Sequence, residues 1–172
     1  MAEGSVVAKS RTQSAAPVAH EVVAAVDLGS NSFRLQVGRV VEDQIYPLDS
    51  LREVVRLAAG LSADKRLDDA SQQRALQALK RFGERLRGFP ATSVRAVGTN
   101  SLRVAKNSRD FLIRAEHALG FPIEVVAGKE EARLIYLGVS HSLPPTSEKR
   151  MVVDIGGGST EFIIGAGYRP QK

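Results

Sequence analysis

Two segments far apart in the chain repeat one arrangement of chemistry-bearing residues. Ala25-Val26-Asp27-Leu28-Gly29-Ser30-Asn31-Ser32-Phe33-Arg34-Leu35 is matched by Val152-Val153-Asp154-Ile155-Gly156-Gly157-Gly158-Ser159-Thr160-Glu161-Phe162. Each copy reads as an apolar β-type run, an aspartate, a turn of small residues and a second strand. The turns, Gly29, Ser30, Asn31 and Ser32 in one and Gly156, Gly157, Gly158 and Ser159 in the other, let backbone N–H groups approach an anion with little Cβ interference. The aspartate at each strand end is placed to meet a phosphate-bound metal or a water. Hard carboxylate oxygens suit Mg²⁺ or Mn²⁺, which makes Asp154 and Glu161, facing each other across the second hairpin, candidate metal ligands. Asp27 is the matching carboxylate of the first hairpin; it either holds the metal through water or caps its own turn. Ordinary glycine turns leave the recurring acid unexplained. Two related lobes gripping one phosphate chain account for it.

These residues need strands and helices to bring them together. Residues 1–20 carry no hydrophobic period and read as a disordered tail, without the continuous apolar run of a secretory signal. Val22 to Asp27, Phe33 to Val41 and Gln44 to Val55 read as an antiparallel meander. A loop from Leu57 to Leu67 precedes a helix over about Ser71 to Arg87, whose stripe is Leu76, Leu79, Phe82 and Leu86. Ser93 to Val97 is a short strand ending in a polar loop, Gly98 to Ser101. A second helix runs from a Ser108 cap to Leu119, stopped by Gly120. Ile123 to Val126 is a strand, and Lys129 to about Ser140 a third helix with Leu134, Leu137 and His141 on one stripe. Residues 143–150 form a linker, and the second hairpin fills 151–172. The order βββαβαβα indicates an α/β lobe with a mixed sheet over 21–142, followed by the first hairpin of an incomplete second lobe.

Composition sets the outer limits. The 172 residues suffice for one well-buried domain, and no apolar run reaches the length of a membrane span. Cysteine is absent, which removes disulfide and thiol chemistry and fits a reducing cytoplasm. A net charge of +5 favours anionic partners. No basic block interleaved with aromatics supports a nucleic-acid platform. His20, His117 and His141 share no metal-ligand spacing and read as structural.

Four segments, in order, resemble the exopolyphosphatase and guanosine pentaphosphate phosphohydrolase family of the actin-like ATPase (ribonuclease H-like) superfold. They are Asp27-Leu-Gly-Ser-Asn-Ser-Phe-Arg34, Val97-Gly-Thr-Asn-Ser-Leu-Arg103, Gly128-Lys-Glu-Glu-Ala-Arg-Leu-Ile-Tyr136 and Asp154-Ile-Gly-Gly-Gly-Ser-Thr-Glu161. The resemblance implies metal-dependent release of terminal orthophosphate from inorganic polyphosphate or guanosine pentaphosphate. It also makes Glu131 the general base, with Glu130 the alternative, because adjacent helical positions point about 100° apart. Without the resemblance, both acids read as favourable charge at a helix N-terminus. Arg103 resembles the family's substrate arginine, a planar fork suited to phosphate; a surface ion pair is its other reading. Arg34 reads as a strand-face residue.

No serine in these motifs has a histidine or lysine beside it, so attack by water is the simpler chemistry. Two other functions fit the same residues: a catalytically silent phosphate-binding module, and an actin-fold sugar or acetate kinase. A homodimer is compatible with all three.

Overall fold

The computed structural model describes residues 21–42, 44–144 and 146–171. The tail expected over residues 1–20 lies outside them. Strands β1 (Glu21–Leu28), β2 (Ser32–Val41) and β3 (Gln44–Val54) form the expected antiparallel meander. After α1 (Asp69–Arg85), strands β4 (Val94–Gly98) and β5 (Ile123–Val125) add in parallel, giving one mixed sheet in the order β3-β2-β1-β4-β5. Alternate residues of β1 and β2 (Val26, Leu28, Phe33 and Leu35) are buried in one core with Leu79 and Phe82 of α1. That core also takes Phe111, Ala115 and Leu119 from α3 (Ser108–Leu119).

Local signals set most boundaries. Asp68 caps α1 by accepting the amide of Ser71 at 2.7 Å. The N-cap of α3 is Asn107 rather than Ser108, and its side chain is engaged elsewhere. Its Oδ1 accepts from Leu67 N and its Nδ2 donates to Leu67 O, which ties the start of α3 to the loop before α1. The polar segment expected as a loop after β4 winds into a short helix, α2 (Asn100–Val104). A brief strand past the second hairpin, β8 (Arg169–Gln171), was also not expected.

Helix α4 (Gly128–Ser142) leads to a separate antiparallel sheet of β6 (Lys149–Ile155), β7 (Thr160–Ala166) and β8. The buried positions of α4 are Ala132, Tyr136 and Ser140, not the expected stripe. Leu134 and Leu137 are half-buried, and exposed His141 stacks on Tyr168 with ring centroids 4.5 Å apart. The shift has a steric cause. Tyr136, fully buried, lies over Gly165 of β7, where a Cβ would stand 2.3 Å from its ring, and its hydroxyl donates to the Gly167 carbonyl at 3.0 Å. A glycine thus supplies the socket into which the one bulky residue of this face fits. The opposite face of this sheet is apolar and open: Met151, Ile155 and Phe162 are 64%, 81% and 67% exposed. No described helix is long and apolar enough to cross a membrane.

Replacing Gly165 by Ala forces Tyr136 out of its socket and is expected to cost about 1–3 kcal/mol of stability in urea unfolding. Gly138→Ala, on the same helix with open space around it, is the control. It is expected to stabilise by up to about 1 kcal/mol through helix propensity.

Candidate active site

The two glycine turns meet. A Cβ on Gly157 would stand 2.9 Å from the Asn31 side chain, and one on Gly158 would stand 2.7 Å from Ser30 Oγ, so neither position has room for a larger residue. Asn100, at the start of α2, donates to the Gly158 carbonyl at 2.6 Å, and Ser101 Oγ bonds buried Ser30 Oγ at 2.8 Å. The short helix missed in the sequence therefore braces both turns. Between them lies a cavity of about 320 Å³ lined by Asp27, Gly29, Ser30, Asn31, Ser32, Asp154, Gly156, Gly157, Gly158 and Ser159, with Arg34, Thr99 and Glu131. A larger cavity adjoins it and shares Asp27, Ser32 and Arg34, but neither that one nor the two larger cavities farther off holds both turns or more than one of these acids.

Hairpin register places the charges. Asp27 pairs with Arg34 across β1–β2, and Asp154 pairs with Glu161 across β6–β7. Arg34 therefore occupies in the first hairpin the place that Glu161 holds in the second. It also lines the cavity, a role that sequence reading did not give it. The equal spacing of the two acid-containing repeats was the signal that could have found it.

The paired glutamates on α4 separate as helical geometry requires. Glu130 turns to solvent and makes a two-point ion pair with Arg133, at 2.8 and 2.7 Å. Glu131 faces the cavity with its side chain only 13% exposed. Glu131, Asp154 and Glu161 each offer a carboxylate oxygen within 4.8 Å of the others. Glu161 Oε2 is buried and has no hydrogen-bond partner. An orphaned carboxylate oxygen beside two further acids fits a hard divalent cation, which would satisfy it. In this grouping Glu131 stands where the sequence reading put Asp27.

Arg103 and Glu161 sit behind the cavity wall rather than on it. The Arg103 guanidinium donates to Glu131 Oε2 at 2.5 Å and to the Val126 carbonyl at 3.1 Å, and lies 3.7 Å from Glu161 Oε1.

Asp27 still reaches solvent through the mouth of the cleft, but the walls crowd it. Crowding, first, and the neighbouring charges of Glu131 and Asp154 push its pKa from 3.8 up to about 6, against the opposing pull of Arg34.

The chain has the fold of the actin-like ATPases, with paired turns facing each other across the cleft. At 18% identity and a TM-score of 0.50, the ethanolamine utilization protein EutJ from Carboxydothermus hydrogenoformans shares that fold alone. Residues 36–172 match the model of the Ppx/GppA phosphatase family, and the chain belongs to that family. It is similar to the Ppx/GppA enzyme of Aquifex aeolicus, with 32% identity and a TM-score of 0.79, over 89% of this chain and 51% of that one. It is likewise similar to an exopolyphosphatase from Cytophaga hutchinsonii, with 30% identity and a TM-score of 0.81, over 88% of this chain and 49% of that one. The chain thus spans about half the length of these relatives.

The raised pKa of Asp27 has a stability consequence in metal-free protein. Between pH about 4 and 6 the folded state retains a proton that the unfolded chain has released, so this residue's contribution to stability falls as pH rises through that window. Asp27→Asn is expected to remove that decline and to raise Tm at pH 7, in the presence of a chelator, by a few degrees. A thermal-unfolding series from pH 4 to 8 checks both points.

Proposed function

We propose that this chain carries the catalytic cleft of a metal-dependent phosphohydrolase that releases terminal orthophosphate from inorganic polyphosphate or guanosine pentaphosphate. The observation that carries the reading is the convergence of two turns rich in backbone N–H groups on one cavity bordered by Glu131, Asp27 and Asp154. Residues 21–142 act as the first lobe, and 151–172 open the second. A cytoplasmic setting, read from the absence of cysteine, belongs to the same proposal.

Phosphoanhydride hydrolysis needs an oriented water, charge compensation on the transferred phosphoryl group and a stabilised leaving phosphate. Gly29 to Ser32 and Gly156 to Ser159 hold phosphate oxygens from opposite sides. Glu131 has Oε2 occupied by Arg103, which leaves its other oxygen to accept a proton from the attacking water. Asp154 and Glu161, with Asp27 alongside, would hold Mg²⁺ or Mn²⁺, which supplies charge neutralisation on the phosphates when bound. Arg34 borders the same cavity and offers a cation to the substrate.

A binding module without turnover is the second reading. Phosphate release from long-chain polyphosphate with Mg²⁺ separates the two. Wild-type release that falls at least about 100-fold in Glu131→Gln is the expected result. Release without any hydroxyl acceptor also excludes a kinase. No release from wild type favours the binding module.

A further inference from the structure

Arg103 was expected to meet the substrate phosphate, yet its guanidinium is already engaged within the protein. One terminal nitrogen serves Glu131 Oε2 and the Val126 carbonyl, and the other faces Glu161 Oε1 at 3.7 Å. The side chain is 21% exposed, and it does not line the cavity between the turns. A phosphate oxygen reaching for this fork competes with the Glu131 carboxylate for one nitrogen and meets the charge of Glu161 beside the other.

Those carboxylates are two of the three that approach within 4.8 Å of one another. The third, Asp154, makes no ion pair or hydrogen bond with Arg103. Three like charges this close repel strongly unless a cation stands among them. In the protein without metal, Arg103 is that cation. It also links three elements, because it projects from α2, bonds the end of the β5 segment and holds acids on α4 and β7. Its place is therefore structural and electrostatic at once, and a divalent ion held by Asp154 and Glu161 arrives beside a fixed positive charge.

We propose that Arg103 is a positioning residue that substitutes for the divalent cation. It holds Glu131 and Glu161 in place and weakens binding of the free ion, so that the ion is held firmly only together with anionic phosphate. This rests on the metal-dependent reading above.

The test uses Mn²⁺ alone, with no phosphate, and counts free ion by electron paramagnetic resonance. Arg103→Met is expected to bind Mn²⁺ about tenfold or more tightly than wild type, because a neighbouring positive charge is gone. Arg103→Lys keeps the charge and loses the fork. It is expected to bind Mn²⁺ within about threefold of wild type. In turnover, Arg103→Lys lowers kcat for polyphosphate with little change in KM, as befits a residue that orients Glu131.

Unchanged or weaker Mn²⁺ binding by a folded Arg103→Met protein overturns the inference and leaves the metal reading intact. So does an Arg103→Lys protein that raises KM at unchanged kcat, the signature of a direct phosphate contact. If Arg103→Met does not fold, the Lys variant decides by the same KM-against-kcat split. Should Arg103→Lys bind Mn²⁺ far more tightly than wild type, charge is not what restrains the ion and the inference falls. Wild type that binds no Mn²⁺ at all overturns the metal reading and this inference together.

Discussion

Asp27, Glu131 and Asp154 line one cleft with Glu161 directly behind its wall, and the repulsion among the four is the constraint that the surrounding structure answers. Their oxygens come from three different elements (β1, α4 and the β6–β7 hairpin), so no local turn can relieve the crowding. The answers are visible residue by residue. Asp27 retains its proton to well above the usual carboxylate range. Arg34 faces Asp27 across the first hairpin, and Arg103 lies between Glu131 and Glu161. Glu131 also sits in the first turn of α4, where the free amides and the helix dipole favour negative charge. A concentration of acids that would destabilise an ordinary surface is held here by a guanidinium on each side.

Positioning those acids requires the second sheet to stand at a fixed distance from α4. Tyr136 over Gly165 sets that distance, and Glu131 lies on the same helix. At the other end of the hairpin, Gly157 and Gly158 rest against Asn31 and Ser30, with Asn100 bonded to the Gly158 carbonyl. The hairpin is therefore pinned at both its turn and its base. The glycines serve two purposes: they open backbone N–H groups toward the cavity, and they leave no side chain to separate the two turns.

Much of this was legible in the sequence, for identifiable reasons. The repeated strand–aspartate–glycine pattern fixed both hairpins and, through pairing across the turn, the opposition of Asp154 to Glu161. The alternation of Val/Ile runs with amphipathic stretches gave the mixed sheet. What escaped depended on partners distant in sequence. The buried face of α4 consists of Ala132, Tyr136 and Ser140, small or polar except for one residue, so hydrophobic periodicity favoured the leucines beside it. Helix α2 has a polar start that resembles a loop, and its function is to reach Ser30 and Gly158. The engagement of Arg103 with two carboxylates follows from how α2, α4 and β7 meet, which no local pattern encodes.

The open face of the β6–β8 sheet makes solution conditions act on this chain in opposing directions. Met151 stands opposite Ile164 and Val153 opposite Phe162, so the exposed apolar side chains form a contiguous strip rather than scattered points. Added salt screens the repulsion among the carboxylates of the partly open cleft. Sulfate and phosphate salts also strengthen the tendency of apolar strips to leave water. Raising the ionic strength with such salts therefore relaxes the cleft's charge repulsion while making exposure of the strip more costly, so the two regions favour different buffers.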